Sequence, residues 1–182
     1  MFQRSIQPDI YLRLLEERHA PEAYAVVDRE RAHLRQWLPW VDRTKSADDT
    51  REFIRMSLQQ FANNEGLVAG IWAKDEFAGT MGFHKVDWMN RKVEIGYWIA
   101  EKFRGRGIIT DACRVFIEHA FREWELNRVE IHCAEGNLKS CAIPKRLGFQ
   151  FEGVRREGQL LDDRYVDIHV YSLLAREWRN MT

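Results

Sequence analysis

The sequence has little cysteine, no excess charge of either sign and no long apolar run, and each absence narrows what the chain can be. Cys113, Cys133 and Cys141 form no C-x-x-C pair, and an odd number of thiols suits a reducing compartment better than a secreted disulfide framework. Lysine plus arginine is 28 and aspartate plus glutamate is 28, so the chain lacks the overall positive field of a non-specific nucleic-acid binder. Any basic site must be local. Residues 1–9 carry no apolar core of a signal peptide, and no uncharged apolar run reaches the length of a bilayer crossing. His84, His119 and His169 show no metal-ligand spacing with the cysteines, so no metal is expected. Repeats, low-complexity tracts and linkers are also missing. These absences predict a cytoplasmic protein with no membrane and no direct nucleic-acid partner. What is present is 182 residues at 45% apolar content, enough to bury the core of one domain.

Apolar periodicity divides the chain into elements. Alternation over 10–15 predicts a first strand, and Pro21 opens a helical stretch to about Trp37 that stops at Leu38-Pro39-Trp40. Ser46 is placed to cap a second helix, with Asp48 and Asp49 in its first turn, that carries Phe53, Ile54, Met56, Leu58 and Phe61 and closes near Gly66. Strands over 67–73, 77–86 and 92–99 are separated by hairpin-length turns and read as an antiparallel meander. Ile109, Ala112, Cys113, Phe116, Ile117, Ala120, Phe121 and Trp124 then form a helical stripe. A strand over 129–134, a helix over 138–147 stopped by Gly148, and strands over 149–154 and 165–174 complete the order. That order predicts a mixed sheet covered on both faces.

The stretch from Glu94 to Thr110 carries the chemistry. An apolar strand runs through Lys102-Phe103-Arg104-Gly105-Arg106-Gly107 straight into the striped helix at Ile108 and Ile109. The first amides of a helix lack internal partners and lie at the positive end of its dipole, so a phosphate placed there is bonded and charge-stabilised at once. Gly105 and Gly107 allow close approach to the backbone, and Arg104 and Arg106 can add charge-assisted bonds. Two nucleotide motifs fail here. Thr110 stands where the dinucleotide fingerprint needs a third small residue, and the Gly-Lys-Ser/Thr ending of a P-loop is absent. Taken alone, a Gly-x-Gly is more often a plain strand-to-helix turn.

These residues resemble the GNAT superfamily of acetyl-CoA-dependent acetyltransferases, whose signature at this place is Arg/Gln-x-x-Gly-x-Gly/Ala, with Lys102 standing here in the first position. Trp37-Leu38-Pro39-Trp40, Glu94-Ile95-Gly96-Tyr97-Trp98-Ile99, Asn137-Leu138-Lys139-Ser140, Arg146-Leu147-Gly148-Phe149 and Tyr165-Val166-Asp167 extend the likeness over nearly the whole chain. They resemble the RimJ/RimL type, which acetylates ribosomal-protein N-termini. The resemblance implies a single α/β domain over 1–182, GNAT-like, with a mixed, mostly antiparallel sheet of about seven strands and helices on both faces. It also implies acetyl-CoA as cosubstrate, no metal, and a primary amine as acceptor, foremost a protein N-terminal α-amino group such as that of a ribosomal protein. A homodimer is compatible with it. The alternatives are a small-molecule amine as acceptor and a non-catalytic acyl-CoA-binding regulatory module.

By the same resemblance, the pantetheine arm hydrogen-bonds to the backbone of Trp98 and Ile99, the diphosphate rests on the amides from Gly105 to Thr110, and the Ile99 N–H polarises the thioester carbonyl. Ser140 corresponds to a hydroxyl near the CoA sulfur that assists the leaving thiolate. Asn137 caps its helix and reaches the pantetheine amide. Pro144 removes a helix bond to the Ser140 carbonyl, which either aims Ser140 or is merely tolerated. For the general base the first candidate is Glu94, a carboxylate in an apolar strand whose burial would raise its pKa; a structural salt bridge is the competing reading. Glu130 with His132, and Glu157, Asp162 and Asp163, are the second and third sets. Trp37, Trp40 and Trp88 are placed either in the core or along an acceptor groove.

Overall fold

The computed structural model describes residues 3–181. Eight strands form one sheet in the order β1-β2-β3-β4-β5-β6-β8-β7: β1 (Gln3–Gln7), β2 (Ile10–Leu14), β3 (Leu67–Ala73), β4 (Glu76–Phe83), β5 (Lys92–Ile99), β6 (Arg128–Ala134), β7 (Gln150–Leu161) and β8 (Arg164–Leu174). Every neighbouring pair is antiparallel except β5 with β6. The sequence pattern predicts seven strands. The eighth is β1, a polar and largely exposed edge strand that pairs only with β2 and gives no apolar alternation to read.

Six helices cover the sheet: α1 (Ala20–Arg29), α2 (Arg31–Leu34), α3 (Ala47–Ala62), α4 (Ile108–Glu118), α5 (Leu138–Arg146) and α6 (Ala175–Met181). The predicted first helix is divided, because Glu30 leaves helical geometry (φ −91°, ψ 4°) and α2 is a single turn. The Ser46 hydroxyl accepts from the Asp49 amide at 3.2 Å and caps α3 as expected. The long stripe expected to Trp124 is regular only to Glu118; it then widens into a π turn over His119–Glu123, closed by Trp124 N to His119 O at 3.1 Å. The turn lets Trp124 pack on Phe83 and His119, with ring centroids 4.9 Å away in each case. β7 runs past its predicted end at Val154, through two register shifts, and α6 follows where no element was expected.

The sheet separates two sets of side chains. Phe83 packs on Phe116 of α4 at 4.8 Å. On the opposite face Trp98 meets Phe77 at 6.0 Å and, beyond α2, Trp40 at 6.1 Å. Alternation along β5 therefore sends Val93, Ile95, Tyr97 and Ile99 toward α4 and α5, and Glu94 and Trp98 toward α1 to α3.

Candidate active site

β5 and β6 pair at only three positions, Lys92 with Arg128, Val93 with Val129 and Glu94 with Glu130. Beyond Glu94 no pairing joins them, so the sheet opens into a slot. The phase of β5 follows from its bonds to the other neighbour. His84 N donates to Glu94 O at 2.9 Å and Ala100 N donates to Ala78 O at 2.8 Å. Hydrogen-bonded pairs alternate in an antiparallel ladder, so Glu94, Gly96 and Trp98 direct their main-chain groups to β4, while those of Ile95, Tyr97 and Ile99 point into the slot. Gly79 confirms the phase: a Cβ there would fall 2.2 Å from the Trp98 carbonyl oxygen. Of the two backbones expected to bond a pantetheine arm, Ile99 faces the opening. The Trp98 assignment is corrected to Tyr97, because Trp98 pairs with Thr80.

At the end of β5 the chain turns through the glycine loop. Gly105 (φ +71°) and Gly107 (φ +75°) both occupy the left-handed region, where glycine is free of strain. A Cβ at Gly105 would meet nothing within 4 Å, so the loop surface is open to a ligand. Gly107 is the N-cap of α4 and supplies no side chain; the first helix bond is Asp111 N to Gly107 O at 3.0 Å. The amides of Ile108, Ile109 and Thr110 precede that bond and lack an intrahelical acceptor. Arg104 reaches His33 Nδ1 at 3.5 Å, and Arg106 lies 5.9 Å over the Phe103 ring. Lys102 is engaged with Glu76. Arg146, from the end of α5, donates to Thr110 Oγ1 at 2.9 Å and brings a third guanidinium to this helix start. Its role was not read from the sequence, since only the fold brings residue 146 beside residue 110. Orphan amides, open glycines and three arginines together suit a diphosphate.

Ser140 lies on the α5 side of the slot. Asn137 accepts from the Ser140 amide at 3.2 Å and so caps α5 as expected. The Ser140 hydroxyl is 3.3 Å from the Tyr97 hydroxyl and 3.4 Å from Cys133 Sγ. The hydroxyl donates to the sulfur, a weak acceptor, and can be drawn from it to a stronger one. Burial pushes the Tyr97 phenol well above its ordinary pKa and the Cys133 thiol up to about 12, so both keep their protons. Tyr97 is the neighbour of Ser140 that sequence reasoning did not single out. The hint was Pro144, which had to leave the Ser140 carbonyl without its helical donor.

The other side of the slot is charged. His132 Nδ1 is 2.9 Å from Glu94 Oε2, and His132 Nε2 is 2.7 Å from Glu130 Oε2. Glu130 also binds Arg128 Nε at 2.8 Å, and Arg128 Nη1 donates to Glu152 at 2.7 Å. Two of the predicted base sets are thus one connected group. The Glu94 side chain is 32% exposed and paired with His132, so it is only partly buried. Burial opposes charge on the His132 ring, but the bonds from Glu94 and Glu130 outweigh it and raise its pKa.

A cavity of about 810 Å³ opens on this side, with Trp37, Trp40, Arg43, Phe53, Glu94, Trp98, His132 and Ser140 among its lining. Thr50, whose buried hydroxyl has no hydrogen-bond partner among the described residues, also lines it. Trp37 and Trp40 thus rim the space, as one of their two readings required. Trp88 does not: its Nε1 bonds Asn64 O at 2.7 Å and its ring meets Trp124 at 5.6 Å. The third base set lies outside this cavity. The Glu157 amide donates to Asp167 at 2.7 Å, and Asp162 is 3.6 Å from Arg35. Among the described residues no group of histidine, cysteine and carboxylate is arranged to hold a metal, and no helix is long and apolar enough to cross a membrane.

A family profile described as the acetyltransferase (GNAT) domain matches residues 9–150. YdaF of Bacillus subtilis (strain 168) is 42% identical over 179 residues, which span 98% of each chain. The ribosomal-protein-serine acetyltransferase of Escherichia coli (strain K12) is 29% identical over 167 residues, 92% of this chain and 93% of the relative. Among solved structures, RimL, a ribosomal L7/L12 alpha-N-protein acetyltransferase in complex with coenzyme A, superposes with a TM-score of 0.92 at 26% identity, covering 97% of this chain and 99% of the other.

Proposed function

The chain belongs to the GNAT acetyltransferase family, and from that premise we propose that it moves the acetyl group of acetyl-CoA to a primary amine, foremost the N-terminal α-amino group of a protein in the cytoplasm. A ribosomal protein is the acceptor class favoured by the relatives, one named for a ribosomal-protein serine and one for L7/L12. The observation that carries the reading is the slot: a strand edge with unpaired main-chain groups at Tyr97 and Ile99 leads into the orphan amides of α4.

In this reading the diphosphate of acetyl-CoA rests on the amides from Gly105 to Thr110, beside Arg104 and Arg106. The pantetheine arm follows β5 like an added strand, bonding Tyr97 and Ile99, so affinity there depends on main chain rather than side chains. The Ile99 amide points where the thioester carbonyl would lie and stabilises the oxyanion as the amine attacks. Because side chains alternate across the sheet, the slot has a carboxylate, Glu94, on the acceptor face and a hydroxyl, Ser140, on the other. A proton leaves the amine on one face and reaches the departing thiolate on the other. A protein N-terminus titrates at about 7.7–8.0, so a sizeable fraction is already neutral near pH 7.5 and no strong base is needed.

The test is thiol release from acetyl-CoA with peptides bearing a free N-terminal serine or alanine, against the same peptides blocked at the N-terminus and carrying lysine. Release with the free α-amine only is expected. Release with lysine or small amines alone would reassign the acceptor, and acetyl-CoA binding without turnover on any amine would make the chain a binding module.

A further inference from the structure

We propose that His132 is a positioning residue for acetyl transfer, whose ring, clamped between Glu94 and Glu130, fixes the Glu94 carboxylate so that Oε1 faces the acceptor cavity and takes the proton given up by the attacking amine. The inference rests on the functional reading above and adds a role for a residue that acts through Glu94 rather than on the reacting atoms.

Both ring nitrogens of His132 lie within hydrogen-bond distance of a carboxylate oxygen, at 2.9 Å from Glu94 Oε2 and 2.7 Å from Glu130 Oε2. Ionised carboxylates only accept, so the geometry suits a ring with hydrogen on both nitrogens, an imidazolium. Its side chain is 12% exposed, as is that of Glu130, which leaves little room to turn. The far end is anchored across three strands: Arg128 holds Glu130 Oε1 at 2.8 Å and reaches Glu152 at 2.7 Å, and the Ser172 hydroxyl donates to Glu152 at 2.7 Å. At the near end, Oε2 of Glu94 is committed to the ring. Its Oε1 has His84 Nε2 at 3.8 Å, beyond hydrogen-bond range, and remains available.

The clamp also sits where it is useful. Glu94 and Glu130 form the last pair before β5 and β6 part, and His132 is the first residue of its face beyond that point. An unfixed Glu94 at the mouth of a slot would sample several rotamers, and side-chain freedom of this kind must be removed before a productive geometry is reached. The charged groups facing the ring are Glu94 from β5, Glu130 and Arg128 from β6, and Arg155 and Glu152 from β7, with His84 from beyond β4 next to Glu94. Arg155 lies 4.0 Å from Glu130 Oε2 and works against the ring's charge. Burial disfavours that charge as well, and the two carboxylates overcome both. The protons balance: an ammonium acceptor gives one proton to Glu94 Oε1, which passes it to water in the open cavity; the neutral amine then forms the C–N bond, the C–S bond breaks, and the second proton lost from nitrogen reaches the CoA thiolate by way of Ser140.

The first measurement is a pH titration of the ¹⁵N-histidine-labelled full chain without ligand, with His132 assigned by its loss in His132→Gln. Both ring nitrogens should carry hydrogen up to a midpoint above the ordinary histidine value of about 6.5, and that midpoint should fall in Glu94→Gln and in Glu130→Gln. A midpoint at or below the ordinary value overturns the clamp. The second is kinetic, with the acceptor peptide of the preceding section. His132→Gln should lower kcat about tenfold or more while the acetyl-CoA KM stays within about twofold, as one lost positioning contact in a proton transfer predicts. The double variant with Glu94→Gln should be no slower than Glu94→Gln alone. Wild-type kcat in His132→Gln, or losses that multiply in the double variant, would overturn the proposal. If the wild-type chain acetylates no amine at all, the functional reading falls, and the ring titration alone decides whether the clamp exists.

Discussion

The Tyr97 hydroxyl lies 3.4 Å from the Ser140 carbonyl, the one carbonyl of α5 that Pro144 leaves without an amide donor. A proline inside a helix removes the bond to the residue four positions back. Here the vacated acceptor faces β5, and a phenol with a firmly held proton reaches toward it. One residue of the helix thus presents both its carbonyl and its side chain to the slot. Pro144→Ala would restore the amide donor and draw the Ser140 carbonyl back into the helix. The variant should be more stable, since proline costs about 3 kcal/mol relative to alanine in a helix interior, yet slower, with kcat reduced several-fold. Thermal melts and steady-state kinetics on the same preparation check both signs.

Ser140→Ala should lower kcat about 10–100-fold while the Kd for CoA changes less than about threefold. This lies at or below the low end of what a general acid contributes, because a thiol leaving group with a pKa near 8.5 departs with only partial help. The hydroxyl's partners in the fold are Tyr97 at 3.3 Å and the weakly accepting Cys133 sulfur, so its loss should cost little stability. Unchanged turnover would return Ser140 to the role of a first-turn helix residue.

Gly107→Asp should raise the acetyl-CoA KM about tenfold or more, since it sets a negative charge at the start of α4 beside the orphan amides. Gly107→Asn is the control. Asparagine tolerates the left-handed conformation that Gly107 adopts at φ +75° and carries no charge. The asparagine variant should shift KM much less than the aspartate one. Equal effects from both would mean that space, rather than phosphate charge, matters at this position.

Much of this was legible in the sequence because it depends on local pattern. The meander, the cap at Ser46 and the glycine loop before a striped helix all follow from spacing and residue type. The misses have physical causes. β1 has a single apolar residue, Ile6, and is fixed by β2 and by bonds from Arg4 and Gln7 to Glu118 and Asp111 of α4, which no local pattern contains. The π turn after Glu118 preserves an apolar stripe while changing its hydrogen bonding, so periodicity does not register it. In the site, residue types were found but not their phase. The Trp98 backbone belongs to β4 because of the register with Thr80, which no reading of β5 alone contains. Glu94 and Glu130 with His132 looked like rival bases because their pairing depends on the parallel register of β5 and β6.

Arg128 gives a prediction for acid stability. It holds Glu152 down to about 2 and, with burial opposing, lowers Glu130 as well. A carboxylate whose folded pKa is depressed contributes stability that is present above its unfolded value and is lost as pH falls toward the folded one. For these two groups the loss begins below about pH 4.5. Arg128→Met takes the guanidinium from the 12%-exposed Glu130 and leaves it His132 alone at hydrogen-bond distance. It should cost about 3 kcal/mol at pH 7, the low end for breaking a buried pair, and less at pH 3, which lies below the unfolded pKa of both carboxylates and so removes part of the linkage. Tm measured at both pH values should show the difference narrowing. A constant gap would mean that Arg128 acts through packing rather than charge.

A crystal structure of the chain with acetyl-CoA tests the central claim most directly. The diphosphate is predicted to bond the amides between Gly105 and Thr110, with the pantetheine arm in the slot bonding the main chain of Tyr97 and Ile99 but not of Trp98. Phosphates bound away from the start of α4, or a pantetheine arm lying outside the gap between β5 and β6, would contradict the account.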